Sequence, residues 1–266
     1  MLRVFAIIAL AVLSTSASAA RVDSPIALPS MAVPLASAFV QAKTNTKINN
    51  GFTTVAVTLD SAVTAGNLLV CAYAGSDNAP SIASSPSNTF VKAVEYTGGI
   101  PNLTIWTVKS AASGSTTVTV TIAGFEFGAV SCQEISGHDN TSDYDKAPAI
   151  GTGFGPTATS GSTGTLTQAN EMAVCFVHHN TSAAVTPSGS FTEPSGGENN
   201  ANRTLETSYL SVSSTSALTC GGTWSGDATW RAGIITFKDG AGGGGGPTIQ
   251  AGAVNNPIRG GGWLWR

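Results

Sequence analysis

From residue 38 onward, short runs of alternating apolar and polar positions recur about every ten residues, separated by Gly, Ser, Asn and Pro. The runs cover 38–43, 53–59, 67–74, 89–96, 103–109, 116–122, 127–135, 171–178, 204–211, 217–221 and 229–237. In the sixth, Val118, Val120 and Ile122 alternate with Thr117, Thr119 and Thr121, the pattern of a strand with one wet face. No segment after residue 20 sustains a helical period. The pattern predicts an all-β chain, and the even spacing of strands and turns predicts a β-sandwich.

The runs also repeat. Ala65-Gly66-Asn67-Leu68-Leu69-Val70-Cys71-Ala72 is similar to Ala169-Asn170-Glu171-Met172-Ala173-Val174-Cys175-Phe176, 104 positions later. Each copy continues through a polar loop to an aromatic strand (Trp106; Tyr209) and a Thr-rich strand (116–122; 217–221). Each ends on an apolar strand closed by glycine (Gly137; Gly240). Two pseudo-repeats, 38–137 and 157–240, make either two stacked sandwiches or two Greek keys of one jelly roll. The loop-like link at 138–163 favours the jelly roll.

Both ends differ in character from this body. Met1-Leu2-Arg3, the apolar run Val4 to Leu13 and the small residues Ser14 to Ala20 have the layout of a secretory signal peptide, so residues 1–20 are expected to be cleaved. An apolar run of this length is too short to span a bilayer. Residues 21–37 read as an extended lead-in with three prolines. A glycine-rich hinge opens the segment 241–266, which ends in a tail carrying Trp263 and Trp265. These rings dock either on the chain itself or on a partner, as an assembly peptide would.

Composition narrows the function classes. Only 10% of residues are charged, the net charge is −3, and the basic residues are scattered. Nucleic-acid binding needs a basic footprint and is disfavoured. No later stretch is apolar enough for a membrane span. Export places the chain in an oxidising compartment, secreted, periplasmic or virion-associated, where disulfides persist. Cys71, Cys132, Cys175 and Cys220 allow three full pairings, and free buried thiols remain an alternative.

No catalytic signature is present. Gly-x-Ser-x-Gly, His-Glu-x-x-His and a phosphate-binding Gly-x-x-x-x-Gly-Lys loop are absent. Gly151-x-Gly153-x-Gly155 ends in Pro156 and reads as a turn. Glu126 and Glu134 flank one strand, and Glu193, Glu198 and Glu206 lie in or beside loops, so no carboxylate pair of a glycosidase is evident. His178 and His179, adjacent on a strand, point to opposite faces; one of them with His138 could hold a metal. Asp139, Asp143 and Asp145 crowd one loop and are the candidate ligands for Ca²⁺, which takes several oxygens. Sugars stack on aromatic rings, which makes Trp224, Tyr209 and Trp106 the candidate ligand contacts. Trp224, among glycines, reads as an exposed loop residue.

Four segments resemble a loosely defined group of bacterial and phage β-sandwich domains found on secreted, cell-surface or virion proteins. They are Ala65 to Val70, the turn Ser87-Asn88-Thr89-Phe90, Glu134-Ile135-Ser136-Gly137 with the later Asp143-Tyr144-Asp145, and Trp230 through Thr236-Phe237-Lys238. Three departures are Ser87 where the group has glycine, Ile135 where it has an aromatic residue, and the absence of a proline before Asp145. The resemblance spans about 38–240 and implies a lectin-like jelly roll without transferable catalytic residues; inferring binding from it is analogy.

The expectation is therefore an exported, non-catalytic module that binds carbohydrate or a cell surface. The alternative is a structural, virion or surface-assembly protein that uses its C-terminal tail. A secreted glycan-active enzyme is the third reading.

Overall fold

The computed structural model describes residues 36–240 except 77, 78 and 202; the predicted signal peptide, most of the lead-in and the tail with Trp263 and Trp265 lie outside the described residues. The described residues form strands and connecting turns, without a helix. Its strands are β1 (Ala38–Thr58), β2 (Leu68–Gly75), β3 (Ser81–Ser85), β4 (Val91–Tyr96), β5 (Asn102–Val108) and β6 (Thr117–Ser136). They continue with β7 (Lys146–Thr159), β8 (Asn170–His179), β9 (Thr186–Pro187), β10 (Glu198–Asn199), β11 (Thr204–Ser213) and β12 (Gly221–Lys238).

Two antiparallel six-stranded sheets form. The first has the order β1-β6-β2-β5-β4 with β3 on β6, and the second β7-β12-β8-β11-β10 with β9 on β12. Adding six to every number in the first gives the second, so the pseudo-repeat is a topological repeat. Its second unit starts at Lys146 rather than 157, because the link read as a loop contains β7. Gly151, Gly153 and Gly155 lie within β7 and are not a turn.

The long strands fold over. Val118 and Val120 from the start of β6 share a core with Val130 and Cys132 from its end, which requires the β1–β6 ribbon to bend across its own sheet. Gly51, with a φ of 91°, lies at that bend. The β7–β12 ribbon does the same at Gly155 and Gly226 (φ 134° and 80°), where the pairing register also slips. Two runs expected as separate strands, 53–59 and 116–122, are thus halves of β1 and β6. Residues 217–220, also expected as strand, lead into β12 without joining it.

Each half is consequently a sandwich, and the two are stacked. β2 shows why. Leu68, Val70, Ala72 and Ala74 face the second sheet, whereas Leu69, Cys71 and Tyr73 face the folded-over ribbon. β8 splits likewise, with Met172, Val174 and Phe176 toward the first sheet and Ala173, Cys175 and Val177 toward the outer layer. Strands buried on both faces lose polar alternation, as these do. Burying each large side chain contributes about 1.5–3 kcal/mol. A jelly roll is a pair of Greek keys wound into two sheets, with both halves of the chain in each sheet. Here each sheet holds one half alone, so the expected jelly roll gives way to the stacked pair.

All four cysteines are paired, Cys71 with Cys132 and Cys175 with Cys220. Each bond lies within its own half: Cys71–Cys132 joins directly paired positions of β2 and β6, and Cys175–Cys220 ties β8 to the segment leading into β12. Paired cysteines are compatible with an extracellular or periplasmic setting.

Candidate functional site

A groove of about 380 Å³ opens between the turn before β4 and the turn after β5, with Asp143 of the inter-half link on its rim. That is within the size range of small-ligand sites. Asn88 builds both walls. Its Oδ1 accepts from Ala112 N (2.7 Å), and its Nδ2 donates to Ser84 Oγ (3.0 Å) and Pro86 O (3.3 Å). The asparagine of the Ser87-Asn88-Thr89-Phe90 turn is thus a bolt between two turns, and Phe90 anchors the turn on the first core.

The groove has an apolar floor of Val91, Val108 and Ala111 and a polar rim of Ser87, Thr89, Ser110, Lys109 and Asp143. Lys109 Nζ lies 3.7 Å from Asp143 Oδ1, and both side chains remain partly exposed. His138 fixes this pair from behind. Its Nε2 donates to Lys109 O (2.8 Å), which ties the turn after β5 to the link that carries Asp143. Burial holds His138 below its ordinary pKa, against the pull of the Lys109 carbonyl and Asp139.

The three aspartates expected to share a cation are held apart. Asp139 accepts from the Thr141 amide and hydroxyl (both 2.9 Å), which lowers its pKa. Asp143 pairs with Lys109. Asp145 pairs with Lys238 (3.3 Å) and accepts from the Thr167 amide (3.0 Å) and hydroxyl. Burial works to raise the Asp145 pKa, but these bonds outweigh it. Among the described residues no three His, Cys, Asp or Glu side chains converge to hold a metal ion.

The aromatic candidates are also placed differently from the expectation. Trp224 is in β12, only 8% exposed, and stacks on His179 with 4.3 Å between ring centroids. It is core, not an exposed loop contact. The sequence hid this because the glycines around it serve the ribbon's fold, not a loop. Trp106, 3% exposed, fills the first core. Tyr209 is partly buried and stacks on Phe39 at 4.4 Å, nearly parallel, bridging the halves. None of the three lines the groove.

The histidine pair serves packing. His178 and His179 do face opposite sides, as their adjacency predicts. Burial drives them down to about 3 and about 4, so both are neutral. His178 Nδ1 donates to Thr204 O (2.5 Å). His138 sits beside Asp239, where β12 ends, whereas His178 pairs with Arg231 toward the strand's other end, so the three do not meet.

The carboxyl groups that sequence reasoning left scattered are partly brought together, yet sealed. Glu134 is fully buried and accepts from Gln41 Nε2 (2.6 Å), Thr64 N (2.9 Å) and Asn67 Nδ2 (2.6 Å). Glu206 lies in β11, directly opposite Glu198 of β10. It is fully buried, and burial pushes its pKa well up, with Glu193 and Glu198 adding to the effect. Burial likewise lifts Glu171 to about 7, opposed by the Thr236 hydroxyl and reinforced by Asp145.

Set against known proteins, the chain matches no family model, no curated protein and no solved structure.

Proposed function

We propose that the chain is an exported, non-catalytic module that binds carbohydrate in the groove between residues 87–91 and 108–112. The observation that carries this reading is the lining of that groove. An apolar floor suits the C–H face of a sugar ring. The hydroxyls of Ser87, Thr89 and Ser110 and the Lys109–Asp143 pair suit its hydroxyl groups. A long, partly exposed ion pair loses little when a ligand hydroxyl enters it, because exposed pairs contribute at most about 1 kcal/mol.

Binding is favoured over hydrolysis by the carboxylate inventory. Glycoside cleavage generally needs two carboxyl groups flanking one bond. Asp143 is the one acid that lines the groove, and Glu134, Glu171 and Glu206 are buried elsewhere. Export is supported by the two disulfides and by the signal-like leader. The resemblance to secreted and surface β-sandwich domains points the same way.

A glycan array probed with the secreted chain tests the reading. At least one glycan should bind, and Lys109→Ala and Asp143→Ala should each weaken it about tenfold or more, the worth of one lost charge-assisted hydrogen bond. Unfolding temperatures should be nearly unchanged. An array without any signal, or variants that bind as well as the parent, would end it.

A further inference from the structure

β7 is an edge of the second sheet; among the described residues it pairs only with β12 and β12 lies on one side of it. Sheet edges invite pairing with other chains, and proteins blunt them with charge, shortness or proline. The other strands that end the two main sheet orders are blunted, and the off-path edges β3 and β9 are only five and two residues long. β1 carries Lys43 and Lys47, β4 carries Lys92 and Glu95, and β10 is two residues long. β7 has fourteen residues and no charge after Lys146. Midway along it Phe154 is 73% exposed, the most exposed of the large apolar side chains on the described surface.

The sequence of this edge reads nearly the same in both directions. Pro148-Ala149-Ile150-Gly151-Thr152-Gly153-Phe154-Gly155-Pro156 is symmetric about Thr152, with proline matched to proline, Ile150 to Phe154 and Gly151 to Gly153. The glycines have internal reasons, since a side chain at 151 would meet the Thr159 carbonyl and one at 153 would meet the Trp230 ring. The matched prolines lie at the two register irregularities of the β7–β12 pairing, where proline is tolerated, whereas nothing within the fold asks for an exposed phenylalanine. Proline is tolerated in a strand where its missing N–H would face outward. Ile150, Thr152 and Phe154 share the prolines' parity along the strand, which turns their backbone N–H and C=O groups toward the open edge.

We propose that two copies of the chain pair antiparallel through β7, on a two-fold axis at Thr152. In that register Thr152 meets its own copy, and Phe154 of each chain packs against Ile150 of the other. Pro148 and Pro156 stand just outside this paired stretch, at the two irregularities of β7, and mark its ends. Self-complementary contact of this kind is what a two-fold dimer requires. Cross-strand aromatic–aliphatic pairs contribute to it. The two sheets join into one continuous sheet through a small interface, so the dimer depends on concentration.

Sedimentation equilibrium of the full chain over about a hundredfold concentration range, with circular dichroism to verify the fold, is the test. The parent should show a monomer–dimer equilibrium. Thr152 is exposed, so Thr152→Lys and Thr152→Glu should each fold yet remain monomeric, because the axis sets like charges face to face. An equimolar mixture of the two should dimerise again. A parent that stays monomeric, either single variant that still dimerises, or a mixture that stays monomeric would each overturn the proposal. Persistence of the dimer in both variants would overturn it and place association elsewhere, residues 247–266 included.

Discussion

Asn67 donates from Nδ2 to Glu134 Oε1 at 2.6 Å, joining the opening of β2 to the last turn of the β6 ladder. Both residues belong to segments through which the sequence resembles surface β-sandwich domains. The bond explains why Asn and Glu stand there, in a structural capacity. Glu134 also accepts from Thr64 N and Gln41 Nε2, so one carboxylate closes three donors around the loop at 59–67.

Glu134→Ala should therefore destabilise the protein by about 3 kcal/mol, since it removes the acceptor of three hydrogen bonds and leaves buried donors without one. Chemical denaturation measures it, and a change below about 0.5 kcal/mol would show the carboxylate to be dispensable. Glu134→Gln keeps an acceptor oxygen and should recover part of the loss.

Glu206 gives the protein a pH dependence of opposite sign to ordinary acid denaturation. Its folded pKa is raised by burial, with Glu193 and Glu198 adding to it and Ser208 opposing. Glu198 is raised as well, by burial first. Groups of this kind contribute stability that is complete below their unfolded pKa and is lost as pH climbs through the folded one. Asp139 and Asp145, with lowered values, act at the other end and lose their contribution as pH falls below the ordinary carboxylate range. Glu206→Gln should match the parent at or below about pH 4 and melt at least about 2 °C higher at pH 9, which about 1 kcal/mol gives in a domain of this size. Parallel melting curves for the two proteins across that range would contradict it.

Much of this fold was legible in the sequence, and the errors share a cause. The unbroken apolar runs Leu68–Ala74 and Met172–Val177 already signalled strands covered on both faces, which a single two-sheet sandwich with wet outer faces does not supply. The 104-residue offset located the repeat. What stayed hidden was the folding-over of the long ribbons, because its signals, Gly51, Gly155 and Gly226, look like ordinary turn glycines. The same ambiguity turned β7 into a loop and Trp224 into a surface residue. The groove was half visible: the Asn88 turn and Asp143 were singled out, but that they face one another across Lys109 depends on where two distant turns meet. The three aspartates that crowd one loop in sequence are each engaged by a different partner, Thr141, Lys109 or Lys238, which spacing alone does not reveal.

Phe176 tests whether the two halves are one cooperative unit. It is fully buried on the face of β8 that meets the first sheet, in a core shared with Leu68, Ala72, Leu103 and Ile105 of the first half and Leu205 and Ile235 of the second. Polar ties cross the same seam, from Gln133 Nε2 to Thr207 Oγ1 and from Thr44 Oγ1 to Gly197 O. Because this core belongs to neither half alone, removing it weakens both. Phe176→Ala should cost about 3–5 kcal/mol, the usual loss for a buried aromatic ring. Hydrogen exchange should then accelerate by the same factor in peptides from β2 and from β8, although the substitution lies in β8 only. If β8 alone exchanged faster while β2 kept its protection, the halves would be independent domains in contact, and the central layer would be an interface rather than a core.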